Sequence, residues 1–335
     1  MKRMWLIAIL APLAASQWAV AAGKPGWVKG KGYGWIWGKD DEVGALNAMT
    51  DESRRAAMQL ISKGESYDLG ITYDRSSYKW PGHSPGEIMT FRSPEGVKRQ
   101  KDMEVSDSRA GTAWHSCALY ISDNIATQID GLGHATNGDD NHIYNGFTEA
   151  EAGGDFGLRK CGAETIPPIV ARGVMLDIAG LNNVDALPKD YVITIDDMKA
   201  ALAKQKLELR PGDVVLLRTG TLRYWKETGA DHDKIAEHDS AGLPLDGAKW
   251  LVEQHGAMMS GSDTSGLESW VAAKGHDSFM PVHVYLLIEQ GVHIAEFHYL
   301  EDLARDKVYE FCYIAAVNKI KGATAGFAMR PLAMK

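Results

Sequence analysis

The chain has 335 residues, of which 45% are hydrophobic, 24% charged and 9% aromatic, a balance that supports a sizeable buried core and excludes wholesale disorder. Acidic residues outnumber basic ones by 44 to 36, for a formal charge of −8. No run of Lys or Arg exceeds a pair, so the basic footprint of nucleic-acid binding is missing.

At the N-terminus Lys2 and Arg3 precede an apolar run from Met4 to Ala15, and Ala19-Val20-Ala21 supplies an A-x-A cleavage site. This pattern predicts a secretory signal peptide over residues 1–22 and a mature domain over 23–335, periplasmic or secreted. The run is shorter than the roughly 20 residues a spanning helix needs, and nothing later in the sequence is apolar for long enough, so no membrane attachment is expected after cleavage. An oxidising compartment would permit one disulfide among Cys117, Cys161 and Cys312, in no pairing that the sequence decides. No C-x-x-C spacing exists for a thiolate zinc site or thioredoxin-like chemistry.

After the leader, Gly26 to Gly38 is a loop rich in Gly and Trp, with Trp27, Trp35 and Trp37. Thr50 caps a predicted helix that opens on Asp51 and Glu52 and carries an apolar stripe of Ala56, Ala57, Leu60 and Ile61. Residues 72–112 show no periodicity and are either a binding loop or a solvated insertion. The second half alternates. Strands are expected over Val174–Ile178, Val214–Arg218, Ala257–Ser260, Val292–Glu296 and Glu310–Val317, with helices over Ile195–Lys206, Asp246–His255 and His283–Gln290. Such alternation in an unbroken chain predicts a single α/β domain.

Two segments concentrate chemistry. In Asn124-Ile-Ala-Thr-Gln128-Ile-Asp130-Gly-Leu-Gly-His134, extended backbone puts Gln128 and Asp130 on one face, and the glycines permit a bend that returns His134 towards the carboxylate. One anionic oxygen, one amide and one imidazole within seven residues suit the edge of a metal site with an adjacent acid/base; an Asp capping a turn beside a surface histidine would look the same. In the second segment, Pro281 to Glu296, His283 falls in the first turn of an apolar helix and Glu296 shares a strand face with Val292 and Ile294. A carboxylate on an apolar face needs a cation, either an arginine such as Arg218 or a metal shared with His283 and Asp130. His115 is either a ligand, a pocket residue or a core histidine. His298 lies two residues beyond Glu296, and Trp35, Trp37, Trp80 and Trp114 are candidates for an aromatic substrate pocket as well as for plain core.

These residues resemble the cyclase family of metal-dependent hydrolases, which includes bacterial kynurenine formamidase and isatin hydrolase. The resemblance extends through Trp37-Gly-Lys-Asp-Asp-Glu-Val-Gly-Ala-Leu-Asn47, Leu209-Arg-Pro-Gly-Asp-Val-Val-Leu-Leu-Arg-Thr-Gly220 and Gly261-Ser-Asp263-Thr. It implies a swivelling β/β/α fold, a homo-oligomer and a small-molecule substrate. The family signature H-x-G-T-H-x-D-x-P-x-H falls on Asn124, Gln128, Asp130 and His134, so both leading histidines are amides here while the Asp and the last His are kept. The resemblance then implies one divalent metal, Mn2+ before Zn2+ because the donors are oxygen-rich, held by Asp130, His283 and Glu296 with Gln128 at its edge. His134 is the implied acid/base in hydrolysis of a small amide, cyclic imide or lactone. The alternative is a periplasmic small-molecule binding protein on the same fold that has lost catalysis.

Overall fold

The computed structural model describes residues 25–83, 86–101, 111–327 and 329–335; the expected leader, residues 1–22, lies outside them. Among the described residues there are eleven strands: β1 (Ser66–Asp68), β2 (Gly86–Arg92), β3 (Ser116–Ile121), β4 (Gln128–Asp130), β5 (Ile169–Asp177), β6 (Val214–Arg218), β7 (Met259–Ser262), β8 (His293–Glu296), β9 (Glu310–Ala315), β10 (Ala325–Gly326) and β11 (Leu332–Met334). Nine form one mixed sheet in the order β1-β11-β9-β5-β6-β7-β8-β4-β10. The four central strands β5 to β8 run parallel, and the flanking pairs are antiparallel.

The parallel centre explains the unbroken apolar runs of the second half. Val214, Val215, Leu216 and Leu217 are all fully buried, as are Val174, Met175 and Leu176, because helical crossovers cover a parallel sheet on both faces and leave no solvent side to alternate towards. α1 (Asp51–Met58) starts at Thr50, whose side chain accepts from Ser53 N in a capping box. α2 (Pro94–Gln100) follows β2, and α3 (Ile195–Gln205) connects β5 to β6 behind the Thr194 cap. The last two crossover helices, α4 (Leu245–Lys249) and α5 (Pro281–His283), each run into a π-helical turn, Trp250–Gln254 and Val284–Glu289. Tyr285, Leu286, Leu287 and Ile288 are all buried in the second turn, so burial on every side replaces the one-sided stripe of an ordinary helix.

Several expectations need correction. Residues 72–112 hold secondary structure, because β2 pairs with β3 as a two-stranded sheet apart from the main one. Met89, Phe91, Leu119 and Tyr120 are exposed there, so neither strand shows the alternation of a half-buried one. The strand expected over 125–130 is only Gln128–Asp130, since Ala126 has φ +58°. All three cysteines are free, Cys117 exposed and the others buried. Arg218 is not the partner of Glu296; its guanidinium binds Glu301 and Asp177, each at 2.7 Å. Among the described residues, no helix is long and apolar enough to cross a membrane.

The motifs that mark the chain hold loops around the sheet. Asp41 accepts from Gly44 N (2.9 Å), Asn47 Nδ2 (2.7 Å) and Tyr144 Oη (2.9 Å). Asp263, fully buried, accepts from Thr219 N and Gly220 N at 2.8 Å and closes β6 against the turn after β7. Gly261 lets β7 and β8 approach, for a Cβ there would stand 2.4 Å from the Cβ and the carbonyl oxygen of Ala295.

Candidate metal centre and its cavity

β4 and β8 are antiparallel neighbours in which Gln128 faces Glu296 and Asp130 faces Ile294. Cross-strand partners share a sheet face, so this register delivers Gln128, Asp130 and Glu296 to one side. His283 arrives from the opening turn of α5. Ligand atoms of Asp130, His283 and Glu296 all lie within 4.8 Å of one another: His283 Nε2 is 3.9 Å from Asp130 Oδ2 and 3.7 Å from Glu296 Oε1. All three residues are buried, Asp130 at 0% exposure and Glu296 at 3%.

Hydrogen bonds engage the outward-facing atoms of these groups. Gln128 Nε2 donates to Glu296 Oε2 at 2.7 Å, and more weakly to Asn124 Oδ1 at 3.3 Å and Asp130 Oδ1 at 3.4 Å. Asp130 Oδ2 and Gln128 Oε1 are buried without a hydrogen-bond partner among the described residues. Gln128 therefore turns its Nε2 donor towards Glu296 and leaves Oε1 without a hydrogen-bond partner among the described residues. Turning the amide over would set Oε1 against the carboxylate, oxygen to oxygen. Asn124 is one step further out, donating to Asp123 Oδ1 and Thr324 Oγ1.

The electrostatics match a cation site. Burial opposes a charged ring at His283, yet its hydrogen bonds and the charges of Glu268 and Glu296 outweigh it and push its pKa up to about 10. Burial, and next the Asp130 charge, raise the Glu296 carboxyl well above the usual carboxylate range, against the pull of His283. Carboxylates crowded around one imidazole, one of them with an orphaned buried oxygen, call for positive charge, which a divalent ion would supply. The donor set fits such an ion.

The centre opens into a cavity of about 230 Å³ lined by Trp80, His83, His134, Glu268, Trp270 and Phe279 among others. The Trp80 and Trp270 rings are parallel within 2° at 6.1 Å, and Trp270 lies 6.4 Å from Phe279 at 10°, giving one aromatic wall. A clasp brings the Trp80 loop there. Tyr78 Oη donates to Asp239 Oδ2 at 3.2 Å, and Asp239 also accepts Ser265 N at 2.9 Å and Ser265 Oγ at 2.6 Å. His134 follows a turn in which its N–H donates to Gly131 O at 3.0 Å. The rings of His83, His134 and His283 form a row with centroids 6.2 and 6.4 Å apart.

Of the residues selected from the sequence, Asp130, His283, Glu296, Gln128, His134 and Trp80 come together here. Trp35, Trp37, Trp114, His115 and His298 do not line the cavity. Trp35 Nε1 donates to Ile288 O at 2.7 Å, Trp37 packs against the main core and His115 is exposed. His298 is buried between Tyr313 Oη (2.8 Å) and Glu296 O (3.0 Å); Phe297 at φ +48° ends the strand and spoils the same-face spacing with Glu296. His83, Glu268, Trp270 and Phe279 escaped sequence reasoning. Only Glu268 carried a signal, as another acidic residue in a largely apolar stretch.

Comparison with known proteins agrees with this architecture. A search of curated proteins finds no match. The crystal structure of a novel cyclase superposes with a TM-score of 0.75 at 31% identity, over 89% of this chain and 96% of the other. Isatin hydrolase A from Ralstonia solanacearum superposes at 0.60 with 17% identity, over 86% and 98%. Isatin hydrolase A from Labrenzia aggregata, bound to benzyl benzoate, gives 0.57 at 18%, over 81% and 93%; these two share the fold, the swivelling β/β/α arrangement expected from the sequence. The Cyclase family model matches residues 67–269, and with the aligned novel cyclase it shows that this chain belongs to the cyclase family.

Proposed function

We propose that the protein is a metal-dependent hydrolase that opens a small amide, cyclic imide or lactone to a carboxylic acid. The observation that carries this reading is the convergence of Asp130, His283 and Glu296, of which His283 and Glu296 line a cavity that a further imidazole, His134, also lines. Isatin hydrolases on the same fold support the reaction class. Asp130, His283 and Glu296 would hold one Mn2+ or Zn2+, with Mn2+ favoured by two carboxylates against one nitrogen. Such an ion acidifies a bound water and polarises an acyl carbonyl.

The chain's own groups do the rest. Trp80, Trp270 and Phe279 bury the apolar body of the substrate and thin the water around the reacting carbonyl. His134 takes the proton of the attacking water and returns it to the leaving nitrogen or oxygen, a transfer suited to an imidazole at neutral pH. Gln128 holds the outer oxygens of Glu296 and Asp130. The protein would work outside the cytoplasm once residues 1–22 are removed.

The test is turnover of N-formylaniline, phthalimide and dihydrocoumarin by the metal-loaded protein. Acid release from at least one, abolished in His134→Ala with metal content intact, is expected. Stable binding of these compounds without product would replace the hydrolase by a binding protein, and full activity in His134→Ala would remove the acid/base assignment.

A further inference from the structure

An imidazole offers a metal only the nitrogen that carries no proton, so a ligating histidine needs something to fix its proton on the other nitrogen. At His283 that task falls to a residue distant in sequence. Glu268 stands on the loop that leaves β7, and its Oε2 lies 2.7 Å from His283 Nδ1. The same carboxylate accepts the backbone N–H of Val282 at 2.9 Å and of His283 at 3.4 Å, so ring and backbone are tied to one group. Both residues are buried, Glu268 at 7% and His283 at 8% exposure, where the contact is little screened by solvent. Among the described residues nothing else accepts at Nδ1. The opposite nitrogen, Nε2, faces Asp130 and Glu296.

We propose that Glu268 is the positioning residue of the centre: it keeps the proton on Nδ1 of His283 and aims Nε2 between the two carboxylates. The assignment rests on the metal reading above. Glu268 touches no metal itself and acts only through His283. A group in this outer position raises the basicity of the ligating nitrogen and locks the ring, and its loss weakens metal binding by about 10- to 100-fold.

The experiment uses the full mature chain, wild type and Glu268→Gln, stripped of metal and titrated with Mn2+ by calorimetry. A second measurement on Zn2+-loaded wild type, labelled with 15N-histidine, follows the His283 ring nitrogens by NMR and does not depend on the variant folding. The expected results are a 10- to 100-fold rise in Kd for Glu268→Gln, and in wild type a slowly exchanging Nδ1 proton with zinc on Nε2. Mn2+ affinity within threefold of wild type, or zinc on Nδ1, overturns the assignment of Glu268. A wild-type protein that takes up neither ion overturns the metal reading instead.

Discussion

Metal binding at this centre must displace a proton, and the pH dependence of affinity measures it. Without metal, His283 holds its proton up to a pKa of about 10, while a ligating imidazole must be neutral. Between pH 6 and pH 8 each unit therefore changes the metal affinity tenfold, about 100-fold over the range, with affinity rising as pH rises. At pH 7 the proton costs about 4 kcal/mol of apparent binding energy. Glu296, also shifted upwards by burial and the Asp130 charge, must lose its proton as well wherever it holds one in the metal-free protein, so tenfold per unit is the least slope expected. In the metal-free protein the same His283 proton stabilises the fold, fully below the ordinary pKa of 6.5 and no longer above about 10. Calorimetry with Mn2+ in two buffers of different ionisation enthalpy counts the protons directly. One or more released per ion, with the matching slope in Kd, is expected; a Kd flat within threefold from pH 6 to pH 8 and no proton release would refute the argument.

Two further predictions concern the frame around the site. Among the described residues both ring nitrogens of His293 are buried without a hydrogen-bond partner, and burial lowers its pKa from 6.5 to about 3. Its contribution to stability is thus present above pH 6.5 and lost as pH falls, by about 3 kcal/mol at pH 4.5; urea unfolding of His293→Leu should show a shallower acid loss than wild type, and equal losses would contradict this. Gly261→Ala forces a methyl against Ala295, the residue before Glu296, and should cost about 1–3 kcal/mol together with metal uptake, as read by thermal unfolding and elemental analysis; an unchanged melting temperature would show that β7 and β8 part without penalty.

How far the sequence reaches is clearest at the metal centre. Glu296 is legible because a carboxylate on an apolar strand face violates burial unless something pairs with it, Asp130 because extended backbone sets it beside Gln128 with His134 one bend away, and His283 because its helix start is marked by Pro281. The parallel strands are legible from their unbroken apolar runs. Glu268 is not, since its task depends on a loop meeting a helix 15 residues later, and no periodicity encodes that. His83, Trp270 and Phe279 sit in irregular segments brought together by contacts such as Tyr78 to Asp239. The pairing of β2 with β3 is invisible because both faces carry exposed apolar groups and a long connection replaces the short turn of a hairpin. For Gln128 the sequence suggests an oxygen at the edge of a metal site, but it does not show that Nε2 is the end of the amide engaged by Glu296.

Hydrolysis at this cavity requires that the chain bind a divalent ion through Asp130, His283 and Glu296. Elemental analysis by mass spectrometry of the mature protein, purified without chelator and then incubated with Mn2+ and Zn2+, should find about one equivalent of metal in wild type and none in His283→Ala. No metal in wild type, or the same content in both proteins, would contradict it.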